Sequence, residues 1–197
     1  SYPHPEGVLA PHALGYLGRA TVEDIQASDG TISDGDLVGR AGLEQQYDAI
    51  LRGTPGRQVI QTDARGVPLA VVEEVAPVPG RDLRTTLHVH LQALTEQALA
   101  DQVATRRAEG NIADSAAAVV LDIEDGGVLA LASYPTYDPA VCVGGISSAD
   151  YAALTAEDSN QPLISRVSEA GLSPASTFKP ISAVATLKAG GKLTDTY

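Results

Sequence analysis

The sequence predicts an α+β fold, and three observations carry that reading. Two pairs of strand-like runs, within 57–74 and 116–134, are each joined by a short polar turn. Runs with helical spacing stand apart from these pairs, around 43–51, 91–103 and 176–188. A Pro-rich stretch, APVPG at 76–80, is the best linker candidate in a chain long enough for one or two domains.

Composition narrows the function. At 197 residues and 44% hydrophobic content the chain can bury a real core. The net charge of −12 argues against nucleic acid and against docking on anionic lipid. One Phe and no Trp leave no base-stacking platform. Cys142 is the single cysteine, which excludes an internal disulfide and reads as a small buried side chain. No run approaches the roughly 18 apolar residues of a membrane span, and no signal peptide is visible. The chain begins at Ser1 and lacks methionine, so it is expected to be part of a longer translation product.

The elements follow in order. TVEDIQAS predicts a short helix, with Thr21 as its cap and Asp24 three residues on. In AGLEQQYDAILRG, Leu43, Tyr47, Ile50 and Leu51 share one helical face, and Gly53 can end the helix. RQVIQTD and GVPLAVVEE predict two strands joined near 63–66. Beyond the linker, DLRTTL alternates like a strand. A helix follows through LQALTEQALADQVA, with Leu91, Leu94, Ala98 and Val103 on one face. AAAVVLDIEDGGVLALASYP predicts a hairpin turning at Asp125-Gly126-Gly127. Its two runs are nearly all apolar, so a sheet covered on both faces is expected. A helix is predicted from Ser147 or Ser148 to about Glu157, and a last one from about Ser176 to about Lys188.

That last helix carries the chemistry. GLSPASTFKP places Ser176 and Lys179 three residues apart, on one face of a helix. Among 13 serines and three lysines an accidental S-x-x-K has a chance of roughly 0.2, so spacing alone is weak. Serine as a helix cap and lysine as a solvated charge account for the same pair. The prolines weigh on the other side. Pro174 and Pro180 pin the turn to a helix N-terminus, where unpaired N–H groups and the positive dipole end favour a developing oxyanion. A neutral amine one turn along can accept the hydroxyl proton. The apolar ISAVATL that follows is expected to hold this turn rigidly at the edge of a core.

At this point the sequence resembles the class B penicillin-binding proteins, the monofunctional D,D-transpeptidases of bacterial cell-wall synthesis, and is most similar to the elongation type. S-x-x-K is one of their motifs. EGVLAPHALGYLG, GRAGLEQQYDAILRGTPG, PGRDLRTTLHVHLQALTEQAL, VVLDIEDGGVLALASYPTYDP, VCVGGIS and PLISR…STFKPISAVATL occur in the family's order and spacing, and cover most of the chain.

The resemblance implies an extended N-terminal pedestal (dimerisation-type) domain over 1–80. It implies the first part of a penicillin-binding transpeptidase domain, an antiparallel sheet flanked by helices, over 81–197. It makes Ser176 the acylated nucleophile and Lys179 its general base, with the Ser176 N–H as one oxyanion donor. The implied substrate is the D-Ala-D-Ala end of a peptidoglycan stem peptide, and beta-lactams would acylate the same serine. No cofactor or metal is implied. The implied partners are a membrane glycosyltransferase and shape-determining proteins, with no nucleic acid. The implied location is the extracytoplasmic face of the bacterial cell membrane, reached through a transmembrane anchor that this chain does not include.

Three departures qualify this. Ala175 stands where the family usually has glycine, which matters if that position needs φ > 0. Leu172-Ser173 replaces an aromatic or second proline. The family's S-x-N and K-[ST]-G motifs do not occur within the chain, so this polypeptide alone is expected to be inactive. A non-catalytic cell-wall scaffold with a degenerate serine site is the alternative. A beta-lactam sensor or hydrolase would share the turn but leaves the first half unexplained.

Other residues read more simply. His88 and His90 lack a third ligand and are expected to be surface or packing residues. Glu73-Glu74 and Glu124-Asp125 read as a solvated strand face and a turn, and Gly144-Gly145 as a loop.

Overall fold

The computed structural model describes residues 9–171 and 173–192. In chain order the elements are α1 (Pro11–Leu14), β1 (Leu17–Arg19), α2 (Val22–Ala27), β2 (Leu37–Gly39), α3 (Gly42–Gln46), α4 (Asp48–Leu51), β3 (Arg57–Thr62) and β4 (Pro68–Val75). They continue with α5 (Val89–Ala108), β5 (Ala116–Leu121), β6 (Val128–Tyr134), α6 (Ser148–Thr155) and α7 (Lys179–Lys188), with short 3-10 turns at Pro139–Cys142, Glu157–Ser159 and Ala175–Phe178. Among the described residues the strands form three separate antiparallel pairs, β1–β2, β3–β4 and β5–β6. Mixed helices and antiparallel strands are the α+β class the sequence predicts.

The first half is built from short pieces locked by local bonds. α2 starts at a capping box: Thr21 Oγ1 accepts from the Asp24 N–H at 3.3 Å, and the Asp24 carboxylate accepts from the Thr21 N–H at 2.7 Å. That bond and the Arg40 guanidinium hold the Asp24 carboxyl down at about 2. The helix expected through AGLEQQYDAILRG breaks into α3 and α4 at Tyr47, whose φ is −114°. The break turns the Asp48 carboxylate back to accept from the Gly39 N–H at 2.9 Å and to pair with Arg52 at 2.6 Å. Gly53 ends α4 with φ +72°, and a Cβ there would lie 2.3 Å from the Val78 carbonyl oxygen.

β3 and β4 form an arm. They pair from Arg57↔Val75 to Thr62↔Pro68, with irregularities at Val59/Ile60 and Gln61/Thr62. Every residue of both strands is exposed, including Val71, Val72 and Leu69. The stretch 76–80 is not a free linker: Val78 and Thr54 exchange two backbone bonds of 2.9 Å, closing the base of the arm.

Most of the core lies in the second half, where α5 packs across β5 and β6, while Ala10, Ile32 and Val38 are buried in the first. Ala130 and Ala132 of β6 and Val103 of α5 are buried at its centre. α5 buries Val103 of the face its apolar spacing predicts, but none of the other predicted positions fully. Gln92 and Val103 are its buried residues, whereas Leu94 is 68% exposed. The reason is a polar lock. The Gln92 amide donates to the Leu131 carbonyl at 2.8 Å and accepts from the Leu131 N–H at 2.8 Å, filling the place of a neighbouring strand. DLRTTL forms no strand, yet it runs beside β6: Thr86 Oγ1 donates to the Val128 carbonyl at 2.8 Å and the His88 N–H to that of Leu129 at 2.8 Å. The hairpin turns at the predicted glycines, with Gly126 at φ +78°. The expected double cover is not present among the described residues. Burial alternates along β5, leaving Val119 and Leu121 exposed on the face away from α5.

Several side-chain bonds stitch the two halves together. The Ala10 N–H donates to Glu96 at 2.7 Å, and His12 Nε2 bonds the Pro162 carbonyl at 2.7 Å. Tyr137 Oη donates to the Pro11 carbonyl at 3.3 Å, and Arg19 Nε to that of Gly144 at 2.6 Å. His12 also meets the Tyr137 ring edge-on, 5.1 Å between centroids.

Candidate active site

Ser176 and Lys179 fall at the junction of two helical forms. Ser176 is the second residue of the 3-10 turn Ala175–Phe178, and Lys179 is the first residue of α7. The Lys179 N–H donates to the Ser176 carbonyl, so one 3-10 turn joins them. At three residues per turn, positions i and i+3 eclipse, and the backbone sets both side chains on one side of the spiral. Their side chains make no hydrogen bond to each other among the described residues, and both residues are exposed. Such contacts are often loose before substrate binds.

The start of the turn is strained. Ala175 takes φ +44°, the left-handed region where an L side chain is disfavoured by roughly 1–2 kcal/mol. This is the position where the sequence departs from glycine. Thr177 steadies the turn: its N–H donates to the Pro174 carbonyl at 3.0 Å and its hydroxyl bonds the same oxygen. The Ser176 amide makes no backbone hydrogen bond among the described residues. It is therefore free to serve as an oxyanion donor at the positive end of the helix.

Pro180 occupies the second position of α7, where its missing N–H costs nothing. The helix beyond is apolar as predicted, but it does not border a core. Ile181, Val184 and Leu187 are 58%, 52% and 41% exposed, and α7 has no buried residue. Among the described residues its main neighbour is its own preceding turn.

The remaining predicted positions sort simply. His88 is the cap of α5, its Nδ1 accepting from the Leu91 N–H at 3.4 Å, and its ring lies 6.0 Å from that of His90. Among the described residues no three His, Cys, Asp or Glu side chains are grouped to hold a metal. Cys142 is buried, and burial pushes its thiol pKa up, which keeps it unreactive.

Sequence reading missed the segment just before the turn. Arg166 donates to the carbonyls of Gln161 at 2.5 Å, Ile164 at 2.8 Å and Asn160. Asn160 and Gln161 both adopt left-handed backbone, φ 55° and 50°. The only sequence signal was an arginine in PLISR with no acidic residue within two positions on either side.

Comparison with known proteins bears on both halves. Residues 1–85 match the family model described as penicillin-binding protein dimerisation domain. Residues 116–196 match that of the penicillin binding protein transpeptidase domain. The peptidoglycan D,D-transpeptidase MrdA of Escherichia coli (strain K12) is 36% identical over 192 residues, covering 95% of this chain and 28% of its own length. Penicillin-binding protein 3 of Bacillus subtilis (strain 168) is 33% identical over 188 residues, covering 95% of this chain and 25% of its own. Among solved structures, a complex between penicillin-binding protein PBP2 and MreC from Helicobacter pylori superposes with TM-score 0.71 at 28% identity, over 98% of this chain and 34% of that one. A second, concerning coordination of polymerization and crosslinking by a peptidoglycan synthase complex, gives TM-score 0.73 at 33% identity, over 96% and 33%. The chain thus spans between a quarter and about a third of the proteins it matches.

Proposed function

Since the chain belongs to the class B penicillin-binding proteins, we propose that its full-length protein is a peptidoglycan D,D-transpeptidase with Ser176 as acyl nucleophile and Lys179 as general base. The observation that carries this is the turn itself. Ser176 and Lys179 are joined by one 3-10 turn, beside a Ser176 N–H with no backbone partner among the described residues, at the mouth of a ten-residue apolar helix.

In the reaction, Lys179 Nζ takes the Ser176 hydroxyl proton as Oγ attacks the penultimate carbonyl of a D-Ala-D-Ala stem peptide. The Ser176 N–H stabilises the oxyanion. The C–N bond to the terminal residue breaks, and D-alanine leaves with a proton. An amine from a neighbouring stem then resolves the acyl-enzyme into a crosslink. Beta-lactams enter at the first step and are not resolved. We read residues 1–80 as a pedestal and 81–197 as the opening part of the catalytic domain. The 197 residues contain neither S-x-N nor K-[ST]-G, so this chain alone carries half a site.

The partners follow the same reading. The solved relatives assemble with MreC and within a peptidoglycan synthase complex. A shape-determining protein and a membrane glycosyltransferase are the corresponding partners here, at the extracytoplasmic face of the membrane. No helix among the described residues is long and apolar enough to cross a membrane.

The test is covalent labelling of the full-length protein with fluorescent penicillin. Wild type should label and Ser176→Ala should not. Label surviving that substitution would remove Ser176 from the role. The strained Ala175 favours a second reading, a scaffold with a degenerate serine site. Failure of the wild type to label, with S-x-N or K-[ST]-G corrupted downstream, would establish the scaffold instead.

A further inference from the structure

Arg166 stands ten residues before Ser176 and makes no ion pair among the described residues. Its guanidinium is committed to carbonyl oxygens instead: Gln161 at 2.5 Å, Ile164 at 2.8 Å, and Asn160. Two of those carbonyls belong to consecutive non-glycine residues in left-handed backbone, a conformation that persists only where surroundings impose it. Side-chain bonds from Arg166 supply that imposition. Its own backbone N–H donates to the hydroxyl of Ser133 at 3.0 Å, and Ser133 is buried on β6. The knot is therefore moored to the sheet. Ser165 beside it is also buried, and its carbonyl accepts the N–H groups of Glu169 and Ala170 at 2.9 and 3.1 Å. That turn carries the order of the knot onward to within five residues of Ala175.

We propose that Arg166 is a positioning residue for the Ser176 turn. By tying 160–164 into a fixed knot anchored on Ser133, it sets the point from which the chain departs toward the nucleophile. This rests on the reading of Ser176 as the acylated residue. The fork of arginine is needed because its two terminal nitrogens reach three separate carbonyls; an ammonium cannot span them in the same way. α7 gains little support from other elements, so the anchor on its N-terminal side is the main fixed reference the turn has among the described residues. Small misplacements of a reacting group cost rate steeply, up to about 100-fold for about 1 Å.

The experiment uses the full-length protein and a fluorescent penicillin in rapid-mixing kinetics over a range of drug concentrations. This separates the dissociation constant of the pre-covalent complex from the acylation rate constant. Arg166→Lys and Arg166→Ala should lower the acylation rate constant by about 10- to 100-fold, with the dissociation constant within about threefold. Ser133→Ala removes only the mooring, leaves the guanidinium in place, and should lower the same constant by a smaller factor, about 3- to 10-fold, even if the Arg166 variants fold poorly. A wild-type acylation rate constant in folded Arg166→Lys, or in Ser133→Ala, would overturn the proposal. So would a loss expressed only in melting temperature. Ser176→Ala is run beside them. If it abolishes labelling while the Arg166 and Ser133 variants acylate normally, positioning fails and the nucleophile stands. If it still labels, the nucleophile reading fails by itself.

Discussion

The α5–β5–β6 block and the Ser176 turn with α7 both carry apolar runs and meet opposite fates. In the block, Ala130 and Ala132 are essentially buried and a glutamine is drawn inside to complete a strand's hydrogen bonds. In α7, Ile181, Val184 and Leu187 stand in solvent. The local rules were obeyed in both. Prolines, N-terminal geometry and helix-forming residues shaped the Ser176 turn without help from packing, whereas the block needed residues 39 positions apart to meet. A helix can be specified locally, but its burial requires a surface to lie against.

The comparison can be sharpened by experiment. The largest expected effect is in the block: Gln92→Ala strands the Leu131 N–H and C=O in a half-buried site and should cost about 2–3 kcal/mol in denaturant unfolding. An effect under about 0.5 kcal/mol would mean the lock does not hold helix to sheet. Next comes the turn. Ala175→Gly relieves a left-handed alanine at some cost in chain entropy, for a net gain of about 0.5–1 kcal/mol. In the full-length protein it should leave penicillin labelling intact or faster. Slower labelling would show that the strain assists the chemistry.

A smaller effect concerns the seam between the halves. Burial is the main influence on His12 and lowers its pKa, with the Arg166 charge acting the same way. The Pro162 bond and the carboxylates of Glu169 and Glu96 pull the other way. The folded state therefore holds the proton less tightly than the unfolded chain. The His12 contribution is complete above the ordinary value of 6.5 and declines as pH falls below it toward the lower folded value. Urea midpoints at pH 7.5 and 5.5 should show this loss in wild type and less of it in His12→Phe. The smallest effect belongs to α7. Val184→Asp in this 197-residue chain should change stability by no more than about 0.5 kcal/mol. A larger loss would show that the helix is packed in solution.

Much of this was legible beforehand, and the misses share a cause. The Thr21 capping box, the Gly126 turn and the one-turn backbone spacing of Ser176 and Lys179 depend on neighbours within four residues, and all three appear as read. The buried face of α5 was misjudged because apolar spacing favoured Leu94, while the sheet beneath had an unpaired backbone position that Gln92 could fill. DLRTTL alternates like a strand but meets β6 through too few bonds to become one. Arg166 could not be singled out at all, since its partners are carbonyl oxygens, and every residue has one.

The sequence by itself determined the turns, the caps, the α+β class and the pairing of a serine with a lysine one turn apart. These are short-range matters, governed by φ, ψ and the nearest few side chains. Only the tertiary structure decided which helix face is inside, that the 76–80 stretch is fastened rather than free, and that Arg166 ties the chain just ahead of the Ser176 turn. Each of those depends on where distant backbone polar groups remain unpaired, and that is fixed only when the pieces meet.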